Sequence, residues 1–395
     1  MERAITETGM CGIAGYLNVD KSPAKDSSTI LSMIRIQKHR GPDDSGIQAF
    51  SLTTGKSVEM PTGSAISVDK EFEGMLGFNR LSILDLSENG HQPMVSPDGK
   101  VLLTLNGEIY NAFDFKAGLQ SWGYVFRSTS DTEVVLALYL RYGFTGMLER
   151  LNGMFAIVII DLGKQELFMA RDRFGIKPMY YLLNNRTFAF SSELKSFKFI
   201  ENFNFRLRMD QLNEYLLYRN NIEGTLYKEI ESLEPGSYIS YRHDTGMIKR
   251  KYFSINDFSR ESAREETLEY YKEKIKQWLG KSVRSQLMSD VRLGCQLSGG
   301  IDSSLVTWLA NEDSKTGNFE AVSIIFRNKA YSEENYIDEV TSLLKIPSHK
   351  FLLDSEYYLD NIEKASWHLE SPLNHPNTVA IYRLSQRAKE FVTVL

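Results

Sequence analysis

The stretch Leu297-Ser298-Gly299-Gly300-Ile301-Asp302-Ser303-Ser304 decides the fold class of the second half of the chain. The mostly apolar run 291–297 leads into it and predicts a buried strand, and the residues from Ser303 to Ala310 predict the first turns of a helix. Two glycines let the backbone approach a ligand closely, and a helix N-terminus leaves backbone N–H groups unpaired. A glycine loop between a strand and a helix is therefore typical of a phosphate site.

The carboxylate of Asp302 within this loop favours a bound Mg²⁺, because Mg²⁺ bridges carboxylate and phosphate oxygens. The loop lacks the Gly-x-x-x-x-Gly-Lys-Ser/Thr pattern of phosphoryl-transfer P-loops. A simple strand–helix turn would explain a bare Gly-Gly, but not this run of hydroxyl and carboxylate side chains. The stretch resembles the pyrophosphate loop of N-type ATP pyrophosphatases, which implies ATP and Mg²⁺ as cofactors. That resemblance implies these ATP-binding residues: Leu297, Ser298, Gly299, Gly300, Asp302, Ser303 and Ser304.

Strand and helix patterns alternate after the loop. The predicted strands are 319–326, 349–353 and the start of one at 391–395, and the predicted helices are 333–344, 357–368 and 379–389. This alternation predicts an α/β doubly wound parallel sheet, with its ligand at the carboxyl ends of the strands.

Composition excludes several classes of function. The 395 residues carry a net charge of −5 and no Lys/Arg run, which argues against a nucleic-acid surface. The longest apolar run, Met154–Ile160, is too short to cross a bilayer. Two cysteines cannot form a disulfide framework, so the cytoplasm is the expected location.

The segment around Cys11 predicts a strand that begins near the start of the chain. If translation or processing exposed Cys11, its α-amine, with a pKa of about 7.7–8.0, would lie beside a thiol with a pKa of about 8.5. Nucleophile and base would then share one residue, as in N-terminal-nucleophile enzymes. Taken alone, a near-terminal cysteine is more often a small buried side chain.

Four segments accompany Cys11 in the first half of the chain: a polar loop at 39–46, a predicted strand at 77–85, a predicted strand that runs into a turn at 103–111, and 130–133, which predicts the start of a helix to about Arg141. Each has a simple structural explanation. Arg80 could form a surface ion pair, Asn106-Gly107 a hairpin turn and Asp131 a helix N-cap. Only the combination favours a functional interpretation.

Together these segments resemble class II glutamine amidotransferase domains over most of residues 11–200. The resemblance implies an α+β N-terminal-nucleophile fold, an αββα sandwich, in which Cys11 attacks the side-chain amide of glutamine. Asn106 and the Gly107 N–H would form the oxyanion hole. Arg80 would pair with the substrate carboxylate, and Glu108 and Asp131 with its ammonium group. The full predicted glutamine-binding set is Arg80, Leu81, Ser82, Ile83, Leu84, Asn106, Gly107, Glu108 and Asp131.

The predicted domains are a glutaminase domain at 11–210, a linker region at 211–265 and a partial synthetase domain at 266–395. Segments between Phe155 and Glu193 also match the amidotransferase pattern and are interpreted as structural. Nine residues precede Met10, so we expect either translation from Met10 with removal of the methionine or cleavage of a short leader. Without either step, glutaminase activity should be absent.

The two predicted domains in one chain resemble glutamine-dependent asparagine synthetases. This implies an adenine nucleotide alpha hydrolase-like synthetase domain in which Leu297 and Ile324 contact adenosine and Asp302 binds Mg²⁺–pyrophosphate. The implied partners are glutamine, aspartate and ATP, without nucleic acid or membrane, and the resemblance leaves a homodimer open. The family has a second phosphate loop after the strand corresponding to 391–395. We therefore expect a C-terminally incomplete synthetase domain without synthetase activity by itself.

Two alternatives remain at the level of the sequence. A related amidotransferase could act on another carboxylate, on a surface sugar or a secondary metabolite, and the segment 371–377 lies where an acceptor could be recognised. A regulatory or structural protein with a degenerate enzyme fold is the other alternative. The presence of Cys11, Arg80, Asn106, Asp131 and Asp302 argues against it.

Overall fold

The structure is a computed structural model that describes residues 10–221, 224–257, 266–314 and 319–395. Contacts divide the chain into two compact units, Met10–Asp257 and Phe258–Leu395. The leader predicted at residues 1–9 and the segment 258–265 of the predicted linker lie outside the described residues. Within the described ranges, no helix combines the length and apolarity that crossing a membrane would need.

The first unit contains thirteen strands and four α-helices in its described part. In chain order they are β1 (Gly12–Asn18), α1 (Ser28–Ile36), β2 (Asp44–Ser51), β3 (Lys56–Met60), β4 (Gly74–Arg80), β5 (Met94–Val95), β6 (Val101–Ile109), α2 (Lys116–Ser121), α3 (Asp131–Arg150), β7 (Gly153–Asp161), β8 (Glu166–Arg171), β9 (Tyr180–Leu183), β10 (Thr187–Ser191), α4 (Met209–Tyr218), β11 (Ile230–Ser232), β12 (Ser237–Arg242) and β13 (Gly246–Lys251).

These strands form two antiparallel sheets. The first has the order β11-β9-β10-β1-β4-β2-β3, and the second has the order β13-β12-β8-β7-β6-β5. One apolar cluster joins the inner faces of the two sheets, a second joins α1 to the outer face of the first sheet, and a third joins α3 to the outer face of the second. These four layers confirm the predicted αββα sandwich.

The central strand β7 is formed by the longest apolar run of the sequence and is buried on both faces. Phe155, Ile157 and Ile159 pack in the cluster with α3, whereas Ala156, Val158 and Ile160 pack between the two sheets. Side chains alternate across a strand, so a strand buried on both faces needs an uninterrupted apolar run.

The linker predicted at 211–265 differs from the structure over much of its described part. β11 pairs with β9 at the edge of the first sheet, and β12 pairs with β8 in the second sheet. Residues 230–251 are therefore part of the first unit. The reason is long-range pairing. β12 packs Tyr238 in the cluster with α3 and Ile239 and Tyr241 between the two sheets, and β13 continues the same sheet as an exposed edge.

The second unit contains, in its described part, α5 (Leu268–Ser285), β14 (Gly294–Gln296), α6 (Ile301–Asp313), β15 (Glu320–Phe326), α7 (Glu334–Leu344), β16 (Ser348–Leu353), α8 (Ser355–Leu369) and α9 (Asn377–Ala388). The strands form a parallel sheet in the order β14-β15-β16. One apolar cluster includes residues of α5, α6 and α7, and another includes residues of α9.

The predicted order of strands and helices in this unit is confirmed, with ends that agree to within a few residues. The start of a strand predicted at 391–395 is present as one parallel bridge between Val394 and Leu293. The hydrogen bonds from Gly294 N–H to the Val394 carbonyl and from Thr393 N–H to the Arg292 carbonyl accompany this bridge. It places the segment beside β14, on the side away from β15.

Candidate active site

Side-chain alternation brings the predicted nucleophile and the predicted carboxylate-binding residue to the same layer. In β1, Ile13 and Leu17 face the core between the sheets, and Cys11 shares their parity and packs against that core. In β4, Leu76 and Phe78 face the same core. Arg80, the last residue of β4, shares their parity and is buried.

The same rule places the predicted oxyanion-hole and ammonium-binding residues. In β6, Leu102 faces the core between the sheets, whereas Leu103 and Leu105 face α3. Asn106 and Glu108 share the parity of Leu102, so they lie on the face directed toward the other sheet. The structure thus directs the polar residues at the ends of β4 and β6 toward the space between the two sheets.

The thiol of Cys11 contacts the loop that follows β4. The Leu81 backbone N–H donates to Sγ at 3.4 Å, and the thiol lies 3.7 Å from the Leu81 carbonyl. Burial raises the pKa of the Cys11 thiol to about 11, while the Leu81 hydrogen bond and the cations Lys177, Arg80 and Arg40 act in the opposite direction. The thiol is therefore protonated at neutral pH, and a reaction at sulfur needs a base.

Asn106 carries a buried side-chain amide whose polar atoms are unpaired among the described residues. Its side chain is fully buried, and neither its amide nitrogen nor its amide oxygen has a hydrogen-bond partner among the described residues. A buried amide left unpaired in this way is costly, so it indicates a place where a ligand supplies the partner.

Gly107 follows with φ of +149°, a conformation that side-chain-bearing residues rarely adopt. A Cβ at this position would lie 2.0 Å from the Met154 carbonyl oxygen of the neighbouring strand β7. Glycine is needed here because of this φ and because β7 passes too close for a side chain.

Glu108 and Asp131 form an acidic pair beside Asn106. The Ile109 backbone N–H donates to Oδ2 of Asp131 at 2.9 Å, which joins the end of β6 to the first turn of α3. Burial raises the pKa of Glu108 to about 7, with Asp131 adding to the rise and Lys177 opposing it. Burial likewise raises the pKa of Asp131 to about 6. Such a pair can bind a cation once both groups are ionised.

Arg80 holds the loop that contacts the thiol. Its Nη1 donates to the Ser87 carbonyl at 3.1 Å, and its Nη2 donates to the carbonyls of Leu84, at 3.0 Å, and Asp85. Within the predicted stretch 81–84, the Ser82 N–H is fixed by Asp43 Oδ2 at 2.8 Å. Three of the five guanidinium N–H donors are thus used on the loop, a role that the sequence did not indicate.

Three charged residues near Cys11 were absent from the predicted site. Lys177 is buried, its pKa is lowered by that burial, and the charges of Glu108 and Cys11 oppose the lowering. Arg40 donates from Nε to the Cys11 carbonyl at 3.0 Å, and Glu193 pairs with Arg40. Lys177 and Glu193 lie in segments that were interpreted as structural, and Arg40 lies in the polar segment 39–46; only their burial in the folded protein distinguishes them.

The glycine loop of the second unit is built as a strand–loop–helix turn. Leu297 is fully buried, its N–H donates to the Val322 carbonyl at 3.0 Å, and Gly300 is the N-cap of α6. Gly299 has φ of +90°, and a Cβ there would lie 3.1 Å from Glu333. Glycine is therefore required at 299 by its positive φ and by this close packing, and the loop leads into a helix N-terminus, where phosphate sites are common.

The serine hydroxyls of this loop bond within the loop. Ser298 Oγ and Ser303 Oγ are 2.9 Å apart, and Ser304 Oγ donates to the Gly300 carbonyl at 2.7 Å. Asp302 is exposed in the first turn of α6, and Ile324 is half-buried in β15. The described residues include no cluster of three or more His, Cys, Asp or Glu side chains suited to a metal. A single exposed carboxylate still fits Mg²⁺, which is commonly bound through one carboxylate and substrate phosphates.

Comparison with known proteins agrees with this arrangement. Residues 61–253 match the glutamine amidotransferase domain family, and residues 274–395 match the asparagine synthase family. Over 404 residues the chain is 31% identical to a putative glutamine-hydrolysing asparagine synthetase 2 of Methanocaldococcus jannaschii, covering 98% of this chain and 73% of that protein. The chain belongs to the glutamine-hydrolysing asparagine synthetase family.

The chain is similarly identical to two other asparagine synthetases, but it covers a smaller share of their length. The chain is 33% identical over 390 residues to glutamine-hydrolysing asparagine synthetase 1 of Bacillus subtilis, covering 98% of this chain and 57% of that protein. It is 31% identical to asparagine synthetase 2 of B. subtilis, covering 96% and 49% respectively. The chain thus spans between about half and three quarters of these asparagine synthetases.

Proposed function

We propose that the protein is a glutamine-hydrolysing asparagine synthetase, a ligase that converts ATP, aspartate, glutamine and water to asparagine, glutamate, AMP and pyrophosphate. The observation that carries the proposal is the unpaired, buried amide of Asn106, on the same inter-sheet layer as Cys11. Family membership supports the pairing of this site with an ATP-dependent second unit.

The first reaction is glutamine hydrolysis at Cys11. The two guanidinium donors of Arg80 that the loop leaves unused would bind the substrate carboxylate, and Glu108 with Asp131 would bind its ammonium group. The sulfur would attack the side-chain amide carbon, while the Asn106 amide and Gly107 N–H stabilise the oxyanion. Ammonia leaves, and water then releases glutamate from the glutamyl thioester.

This step needs a base, because burial keeps the Cys11 thiol protonated at neutral pH. A free α-amine on Cys11 supplies one within the same residue. The mechanism therefore requires that the peptide bond between Met10 and Cys11 be absent from the active protein.

The second reaction belongs to the unit around the glycine loop. Its sheet is proposed to be doubly wound, which the parallel order β14-β15-β16 and the bridge from Val394 to Leu293 on the other side of β14 support. The backbone of residues 298–300 and the N-terminus of α6 would bind the ATP phosphates, and Leu297 and Ile324 would contact adenosine. Asp302 would hold Mg²⁺, which supplies charge neutralisation at the phosphates.

Aspartate is the proposed acceptor. Its side-chain carboxylate would attack the α-phosphate of ATP to give β-aspartyl-AMP and pyrophosphate, and ammonia would displace AMP. Activation is needed because a carboxylate is a poor electrophile at neutral pH.

Isotope transfer tests the proposal. The protein is incubated with aspartate, MgATP and glutamine carrying heavy nitrogen in its side-chain amide, and asparagine and ammonia are analysed by mass spectrometry. We expect labelled ammonia from the unsubstituted protein and none from Cys11→Ala. Labelled asparagine formed only with ATP would support the complete reaction and would contradict the expectation that the synthetase domain is inactive by itself. Equal, negligible ammonia from both proteins would contradict the glutaminase assignment.

A further inference from the structure

A buried charge cluster lies beside the main chain of Cys11, outside the predicted glutamine contacts. Arg40 donates from Nε to the Cys11 carbonyl at 3.0 Å and from Nη1 to Oε1 of Glu193 at 3.3 Å. The side chain of Arg40 is 5% exposed and that of Glu193 is 3% exposed. A guanidinium this deeply buried needs a counter-charge, and Glu193 supplies it.

Glu193 has two further partners. His39 Nε2 lies 2.8 Å from Oε1, and Lys195 Nζ lies 3.0 Å from Oε2. Burial alone would raise the pKa of Glu193, but the His39 hydrogen bond and the charges of Arg40 and Lys195 outweigh burial and hold that pKa well below its usual range. The carboxylate is therefore ionised throughout the pH range of an activity assay.

The residue just before Glu193 is hydrogen-bonded to β1, the strand that follows Cys11. Ser192 N–H donates to the Ile13 carbonyl at 2.9 Å, and the Ile13 N–H donates to Ser192 Oγ at 3.0 Å. The end of β10 thus fixes the backbone at Ile13 directly, and it reaches the Cys11 carbonyl through Arg40. These contacts together fix the position of the backbone at Cys11 and Ile13, and therefore of the Cys11 thiol.

We propose that Glu193 is a positioning residue for glutamine hydrolysis, acting through Arg40 on the backbone of Cys11. The proposal rests on the proposed role of Cys11 as nucleophile. Among the described residues, Nη2 of Arg40 has no hydrogen-bond partner, so the direction of the guanidinium is set by its contacts with Cys11 and Glu193. Without the Glu193 charge, Arg40 turns toward water and the Cys11 carbonyl loses its donor.

The test compares Glu193→Gln with a matched control, Glu73→Gln. Glu73 is also a buried glutamate in an ion pair, with its side chain 4% exposed and its Oε1 3.3 Å from His243 Nε2. It also accepts hydrogen bonds from the Ser51 hydroxyl and from the backbone N–H and hydroxyl of Thr53. Within the part of the chain that the structure describes, none of these partners is hydrogen-bonded to Cys11. The two substitutions therefore remove the same charge from similar environments.

Glutaminase kcat and KM are measured for both variants at a temperature where thermal unfolding shows them fully folded. We expect Glu193→Gln to lower kcat by roughly 10- to 100-fold, the usual cost of a small misplacement of a reacting group, with KM for glutamine within about threefold. Glu73→Gln should lower the unfolding temperature and leave kcat within about twofold. Equal kcat losses in both variants, or a KM effect without a kcat effect, would overturn the proposal.

A crystal structure of Glu193→Gln provides a readout that needs no activity. We expect the contact between Arg40 Nε and the Cys11 carbonyl to be lost, and an unchanged contact would overturn the proposal. Failure of the proposed function has a different signature: the unsubstituted protein would release no more ammonia than Cys11→Ala, whatever residue stands at 193.

Discussion

The Leu81 backbone N–H donates a hydrogen bond to Sγ of Cys11 across 3.4 Å, so the residue that follows Arg80 holds the predicted nucleophile. The contact joins the first residue before β1 to the loop after β4. Both lie at the ends of strands whose inner faces form the core between the sheets. The thiol therefore lies at the end of a rigid layer, where its surroundings are set by packing.

Lys177 is expected to tune this thiol. Its positive charge lowers the pKa of Cys11 against the larger effect of burial, so Lys177→Met should raise that pKa further. The measurement is the rate of alkylation of Cys11 by iodoacetamide as a function of pH, followed by peptide mass spectrometry. We expect slower alkylation at every pH below the thiol pKa. Cys295, whose pKa burial also raises to about 11, serves as the internal control, and a parallel slowing of both cysteines would contradict the prediction.

Glutamine binding should strengthen as pH rises. Burial raises the pKa values of Glu108, to about 7, and Asp131, to about 6, so both carboxylates lose charge on acidification within the assay range. Because the substrate ammonium group needs the ionised forms, KM for glutamine should fall between about pH 5 and about pH 8. Asp131→Asn should raise KM and weaken this dependence. A KM that stays constant over this range in the unsubstituted protein would contradict the assignment of the pair.

Asn106→Ala should lower glutaminase kcat by about 100- to 1,000-fold with a small change in KM, because an oxyanion donor acts mainly in the transition state. Thr104→Val is the matched control, since Thr104 lies two residues earlier on the same face of β6 and its buried hydroxyl also lacks a hydrogen-bond partner among the described residues. We expect the control to retain kcat. Equal losses in the two variants would show that Asn106 acts only through packing.

Gly107→Ala should destabilise the first unit, because the added Cβ would lie 2.0 Å from the Met154 carbonyl oxygen of β7. Gly99→Ala is the control: it also has a positive φ, of +72°, but a Cβ there has no atom within 4 Å. Thermal unfolding should show a clearly larger decrease in unfolding temperature for Gly107→Ala than for Gly99→Ala, whose backbone strain alone costs roughly 1–2 kcal/mol. Equal decreases in unfolding temperature would mean that β7 can shift to accommodate the added Cβ at little energetic cost, which would contradict the prediction.

The sequence predicted the elements whose signals are local. The apolar run of β7 and the glycine loop before α6 both follow from short-range patterns that the structure confirms. The place of β12 in the second sheet was missed because its pairing with β8 joins residues distant in the chain. The inter-sheet positions of Asn106 and Cys11 follow from strand parity once the core is known.

The charged partners of the site could not be predicted in the same way. Arg40, Lys177 and Glu193 lie in turns or at strand ends, where a charged residue is usually solvated. Their importance depends on burial, which tertiary packing imposes. The three bonds from Arg80 to its own loop are likewise a result of loop geometry that no residue pattern encodes.

The central claim is that Cys11, with a free α-amine, attacks glutamine. The most direct measurement is peptide mass spectrometry after reaction with 6-diazo-5-oxo-L-norleucine, a glutamine analogue that alkylates a nucleophile in the glutamine site. The account predicts an N-terminal peptide that begins at Cys11 and carries one adduct on its sulfur, with protection by glutamine. An unlabelled Cys11, or an active protein in which Cys11 is still joined to Met10, would contradict it.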